Sequence, residues 1–155
     1  MKNNIFILIL FFLYVSTFHV TGAERNMHTL KVVPAPLSVM LEKGCFQFKV
    51  STVIAVEDTA MISVAEQFAL LFQGSAGFIP KVKAGEKKGD VCLRSDASLK
   101  KEAYRLVITP KRVDVYASSK EGAFYAFQSL RQLLPPELEG EERAKNVSWT
   151  VPAGS

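Results

Sequence analysis

Any chemistry in this 155-residue sequence has to be built from a short supply of reactive side chains. Its histidines are His19 and His28, and its cysteines are Cys45 and Cys92. A Ser-His-Asp triad would have to recruit His28, and no G-x-S-x-G turn presents a serine nucleophile. A zinc site would have to join His28, Cys45 and Cys92, which lack the short spacings of zinc ligands, and there is no H-E-x-x-H pattern. Gly85-x-x-x-Gly89 lacks the lysine and hydroxyl residue that complete a phosphate loop. No metal or nucleotide cofactor is expected, and no residue is assigned a catalytic, cofactor-binding or metal-ligating role.

Two further groups could do chemistry. The adjacent carboxylates Glu57-Asp58 are of the type that general acid/base cleavage of a glycosidic bond requires. They stand at a strand-to-helix junction, however, where an acidic side chain caps the first turn and complements the helix dipole, and capping is the stronger reading. Cys45 and Cys92 both fall in β-rich runs. An oxidising compartment would permit a disulfide between them, but free cysteines in strands also serve as small buried apolar residues, and both readings stay open. Asn146-Val147-Ser148 is a formal glycosylation sequon that we read as chance. Lys81, Lys83, Lys87 and Lys88 are interrupted by Gly85, Glu86 and Gly89 without interleaved aromatics, which describes a solvated turn and not a nucleic-acid groove. Glu137, Glu139, Glu141 and Glu142 read as an exposed acidic loop.

The elements that must position these groups follow from composition and periodicity. With 48% hydrophobic and 22% charged residues and 19 basic against 15 acidic side chains, the chain is neither disordered nor strongly polycationic. Its length suits one domain and excludes a complete (β/α)8 barrel, which needs about 250 residues. Lys2, the unbroken apolar run Ile5–Val15 and the small residues Thr21-Gly22-Ala23 predict a signal peptide over 1–23, with a retained anchor as the alternative. The run is shorter than the about 20 residues of a membrane span, so export to the periplasm or outside is expected, with no stable span after cleavage.

Residues 24–155 are expected to form the domain, with a core over about 30–152. Val33-Pro34-Ala35-Pro36 should be an extended lead-in, because prolines remove backbone donors. Cys45–Phe48 and Thr52–Val56 are β-rich. Met61, Ala65, Phe68 and Phe72 form one helical face within Ala60–Gln73, with Gly74 and Gly77 as its stop. Phe78–Lys83 carries a proline and belongs at a sheet edge, and Gly89–Arg94 is another strand. Alternation over Glu102–Ile108 and Val113–Ala117 around Pro110-Lys111 predicts a hairpin, with Val115 inward and Asp114 and Tyr116 outward. Ser118 or Ser119 caps a second helix carrying Ala123, Phe127, Leu130 and Leu134, which Pro135-Pro136 ends. Trp149–Pro152 is a last extended segment. Short strands and two amphipathic helices without strict βαβ alternation predict an α+β fold, a mixed β-sheet with both helices packed on it.

Several of these segments resemble the N-terminal domain of bacterial β-N-acetylhexosaminidases of glycoside hydrolase family 20. Val32–Pro36 is similar to an I-P-x-P lead-in, Glu102–Lys111 to E-x-Y-x-L-x-I-T-P, and Ala117–Ala126 to A-S-S-x-x-G-x-F-Y-A/G. Gln128–Pro135 resembles Q-T-L-R-Q-L-L-P, and Trp149–Ala153 resembles the W-x-I/V-P-A step leading into a catalytic barrel. The resemblance implies a zincin-like domain without the metal site, in which Gly122 lets α-helix and neighbour approach and Phe124 and Phe127 fill the sheet–helix interface. It also implies a (β/α)8 barrel C-terminal to Ser155, where an adjacent Asp-Glu pair assists attack by the substrate's own acetamido group. Glu57-Asp58 has the reversed order, so no site residue carries over. The expected function is that of a non-catalytic domain of an exported β-N-acetylhexosaminidase in carbohydrate metabolism, which meets its glycan substrate only through the barrel. Tyr125 and Trp149 would fill the interface with that barrel, and the isolated domain would expose an apolar patch. The alternative is a free-standing glycan- or protein-binding module using Tyr104, Tyr116, Tyr125 or Trp149 as platforms, and a weaker one is a broken gene product.

Overall fold

Residues that alternate apolar and polar build seven strands, and the two helical stripes cover one face of the sheet they form. A computed structural model describes residues 32, 33 and 35–155. The predicted signal segment, His28 and Pro34 lie outside the described residues. In chain order the elements are β1 (Leu41–Gln47), β2 (Val53–Val56), α1 (Ile62–Leu70), β3 (Lys81–Ala84), β4 (Val91–Ser95), β5 (Tyr104–Ile108), β6 (Val113–Ala117), α2 (Lys120–Leu133) and β7 (Thr150–Gly154). They make a single sheet of order β1-β7-β5-β6-β4-β2-β3.

The sheet is mixed, as expected. β2 runs parallel to β3 and β4, and β4 to β6. β5 is antiparallel to β6 and β7, and β7 to β1. The predicted hairpin is β5–β6, closed by Thr109 and Arg112, with Thr109 N donating to Arg112 O at 2.8 Å. β3 is an edge strand that begins just after Pro80, so the proline costs the ladder no donor. β2, α1 and β3 form one parallel crossover, a unit that the overall absence of βαβ alternation obscures. β7 lies inside the sheet between β1 and β5.

Register places Ile54, Val91, Val113 and Ile108 in one row across four strands and Val56, Leu93, Val115 and Leu106 in the next. α1 packs over β2 and β3 and α2 over β5, β6 and β7, while the helices touch each other. Phe68 of α1 meets Phe127 of α2 with ring centroids 4.8 Å apart, and Phe48 stands 5.8 Å from Phe68 and 5.0 Å from Phe72. The predicted stripe Met61, Ala65, Phe68 and Phe72 is buried throughout.

Four expectations change in detail. α1 ends at Leu70, because the amides of Leu71, Phe72 and Gln73 bond three residues back and tighten the chain into turns before Gly74. Phe124 lies on the outer side of α2 and is 42% exposed, so Phe127 alone of that pair fills the interface. Trp149 is 7% exposed and packs on Phe72 with centroids 6.3 Å apart, because it immediately precedes a strand of this domain's own sheet. The acidic segment is a short 3-10 turn over Pro136–Glu139, anchored by buried Leu138.

Candidate functional site

The expected capping at the carboxylate pair is what the structure shows. Asp58 accepts a bond from Ala60 N at 2.9 Å at the turn that leads into α1. Glu57 pairs with Lys87 at 2.9 Å, and this hydrogen bond holds its carboxyl below the usual range. Cys45 and Cys92 are both free thiols. They sit on β1 and β4, four strand spacings apart in the sheet, or about 19 Å at 4.8 Å per spacing, far beyond disulfide reach. Cys92 is the buried apolar residue expected, whereas Cys45 is exposed, because it lies on an edge strand. Asn146 of the sequon is exposed with φ of 60°, a left-handed turn that asparagine tolerates. Lys81 and Lys83 belong to β3, where exposed lysines guard an edge strand against pairing with another chain.

The segments singled out by resemblance make a connected set of clamps around α2. Ser119 caps the helix by accepting from Gly122 N at 3.3 Å and donates to the carbonyl of Lys101. Ser118 donates to Lys100 O at 3.1 Å, and Glu121 pairs with Lys101 at 2.9 Å. A Cβ on Gly122 would stand 2.5 Å from Ala103 O, so only glycine lets the helix approach the chain before β5 this closely. Along the same helix, Ser129 shares a 2.6 Å hydrogen bond with the Tyr104 hydroxyl. The Gln132 side chain accepts from Val33 N at 2.7 Å and donates to Val33 O at 3.0 Å. Arg131 grips Glu139 with its Nε, 2.6 Å from Oε1, and holds that carboxyl below its ordinary range. These residues are positioning devices for the helix, the lead-in and the acidic turn.

Two surfaces remain as places for a partner. On the helix side, a groove of about 450 Å³ runs between α2, β5, β7 and the lead-in, lined by Leu37, Val39, Leu41, Leu106, Leu133 and Pro152 among others. Leu37, Val39 and Leu41 expose large apolar side chains along it, which is the expected apolar patch. Phe124 and Tyr125 form a second exposed aromatic pair, with centroids 5.7 Å apart.

The opposite face of the sheet is polar. Asp114, only 5% exposed, accepts from Arg94 Nε at 2.9 Å and from Arg112 Nε at 2.7 Å. The Asp114 hydrogen bond raises the Arg94 pKa further. Tyr116 lies in register between Arg94 and Arg105, and the Arg105 guanidinium sits 4.0 Å above its ring. Sequence reading placed Asp114 and Tyr116 outward but missed this cluster. Its only signal was polar residues at alternate positions of strands whose pairing order is not visible in sequence. Among the described residues, no group of three His, Cys, Asp or Glu side chains stands close enough to hold a metal ion.

The chain is thus a mixed sheet with two helices on one face, α2 being clamped along its length. The sequence pattern of "Glycosyl hydrolase family 20, domain 2" matches residues 29–155, and the chain belongs to that family. It is similar to the β-hexosaminidase of Porphyromonas gingivalis, at 27% identity over 127 residues covering 79% of this chain and 16% of that protein. Among solved structures it is similar to the Streptomyces plicatus N-acetyl-β-hexosaminidase, with a TM-score of 0.72 and 30% identity over 81% of this chain and 25% of that one. The Streptomyces coelicolor β-N-acetylhexosaminidase aligns with a TM-score of 0.71 and 28% identity over 81% of this chain and 26% of that one. The chain thus spans between 16% and 26% of the length of these relatives.

Proposed function

We propose that this chain is the supporting domain of an exported β-N-acetylhexosaminidase, and that hydrolysis of terminal N-acetylhexosamine residues takes place in a (β/α)8 barrel joined after Ser155. The observation that carries this reading is the family match over 29–155 in relatives four to six times longer than the matched region. The exposed apolar groove beside β7 supports it, because such a surface gains stability when a neighbouring domain covers it. In this reading the domain contributes interface area and orientation, and the glycan meets only the barrel. Carbohydrate metabolism is the corresponding cellular role.

Export rests on the features of residues 1–23, a basic start, a short apolar run and small residues before Glu24. Amino-terminal sequencing of the product from periplasm or medium should begin at Glu24, and a product beginning at Met1 in the cytoplasm would overturn it. The domain role is tested by the coding sequence downstream of Ser155. A barrel with an adjacent Asp-Glu pair, in frame or after a frameshift, is expected, and unrelated sequence there would overturn the reading.

A further inference from the structure

We infer that the open face of the sheet binds a sulfate monoester carried on a glycan, held between Arg94 and Arg112. Both guanidiniums are fixed by their Nε edges to the two oxygens of one carboxylate, that of Asp114, at 2.9 and 2.7 Å. Their terminal nitrogens make no hydrogen bond among the described residues, and the Arg94 and Arg112 side chains remain 25% and 52% exposed. The result is a pair of free donor edges whose orientation is set before any ligand arrives, the form of donor that suits a planar or tetrahedral oxyanion.

The charge balance narrows the ligand. Two guanidiniums on one carboxylate leave one positive charge. Neighbouring charges are already matched: Arg105 is occupied by Asp96 at 3.3 Å and by the Tyr116 ring, and Glu57 is matched by Lys87. A sulfate monoester carries one negative charge and fits this site, whereas a phosphate monoester carries about −1.5 to −2 near neutrality. Lys83, in register with Ala55, stands three strand spacings from Asp114, about 14 Å at 4.8 Å per spacing, and lies outside this balance. Tyr116 lies next to Arg94 in register, offering ring-edge contact to the sugar that bears the sulfate. That the carrier is a glycan rests on the hexosaminidase reading above; the oxyanion site itself does not.

The test is titration of the full chain at constant ionic strength with a sulfated N-acetylhexosamine tetrasaccharide, its desulfated counterpart, inorganic sulfate and inorganic phosphate. The NMR signals of the Arg94 and Arg112 Nε–H groups report binding. Saturable shifts with the sulfated sugar and none with the desulfated one are expected, with at least tenfold weaker binding in R94Q/R112Q. Arg112→Lys keeps the charge and should weaken binding about threefold, which guards against a double variant that fails to fold. Lys120→Gln, on α2 over the other face, should leave affinity unchanged. Equal loss in K120Q, or undiminished binding in R112K and R94Q/R112Q, would overturn the site. Binding of inorganic sulfate without the sulfated sugar would overturn the glycan assignment, and preference for phosphate would overturn the sulfate assignment. None of these readouts requires a barrel, so the result stands apart from the test of the hydrolase reading.

Discussion

Gly122 shows how one residue type can be dictated by a neighbour far along the sequence. A methyl group there would meet Ala103 O at 2.5 Å and Lys101 O at 3.3 Å, both of them backbone atoms that cannot swing aside. Gly122→Ala should therefore destabilise the domain by about 1–3 kcal/mol despite alanine's better helix propensity, measured by urea denaturation. Glu121 beside it provides a pH-dependent check. The Lys101 ammonium, first, and its own backbone amide hold its carboxyl down to about 2. Because the folded pKa is depressed, this contribution is complete above the ordinary carboxylate value near 4.5 and is lost as pH falls towards about 2. Melting temperature should fall between pH 5 and pH 2.5, and Glu121→Gln should flatten that slope. What was legible at this scale was local: Asp58 and Ser119 as caps and Gly122 as a close-approach position. The fates of Cys45, Phe124 and Trp149 were not, because each depends on which strand or domain lies next to it.

At the level of elements, the helices are held by one aromatic seam. Phe127 is 2% exposed and packs on Phe68 at 4.8 Å, linking α2 to α1 above the strand rows Val91–Val113 and Leu93–Val115. Phe127→Ala should cost about 3–5 kcal/mol, a drop in denaturation midpoint large enough to leave the domain marginal. Exposed Phe124, three residues earlier, should tolerate alanine within about 0.5 kcal/mol, and that contrast checks which residue of the aromatic pair belongs to the core. The strands and helices were readable because their periods of two and 3.6 are written in local sequence. The order β1-β7-β5-β6-β4-β2-β3 was not readable, since it is fixed by pairings between segments as far apart as Cys45 and Pro152. The Arg94–Asp114–Arg112 cluster was hidden for the same reason, as it exists only once β4 lies beside β6.

For the molecule as a whole, the fold separates two kinds of surface. The helix side ends in an apolar groove suited to cover by a neighbouring domain, and the open sheet face presents fixed charge. Away from both surfaces, Asp58 caps the turn into α1 and Glu57 pairs with Lys87. The central claim is that this domain supports catalysis performed elsewhere in a β-N-acetylhexosaminidase. Its most direct test is the initial rate of hydrolysis of a chromogenic N-acetylglucosaminide, measured for the purified 155-residue chain and for the same chain extended by its downstream coding sequence. The account predicts no turnover by the chain alone and saturable hydrolysis by the extended protein. Saturable turnover by the chain alone would contradict it.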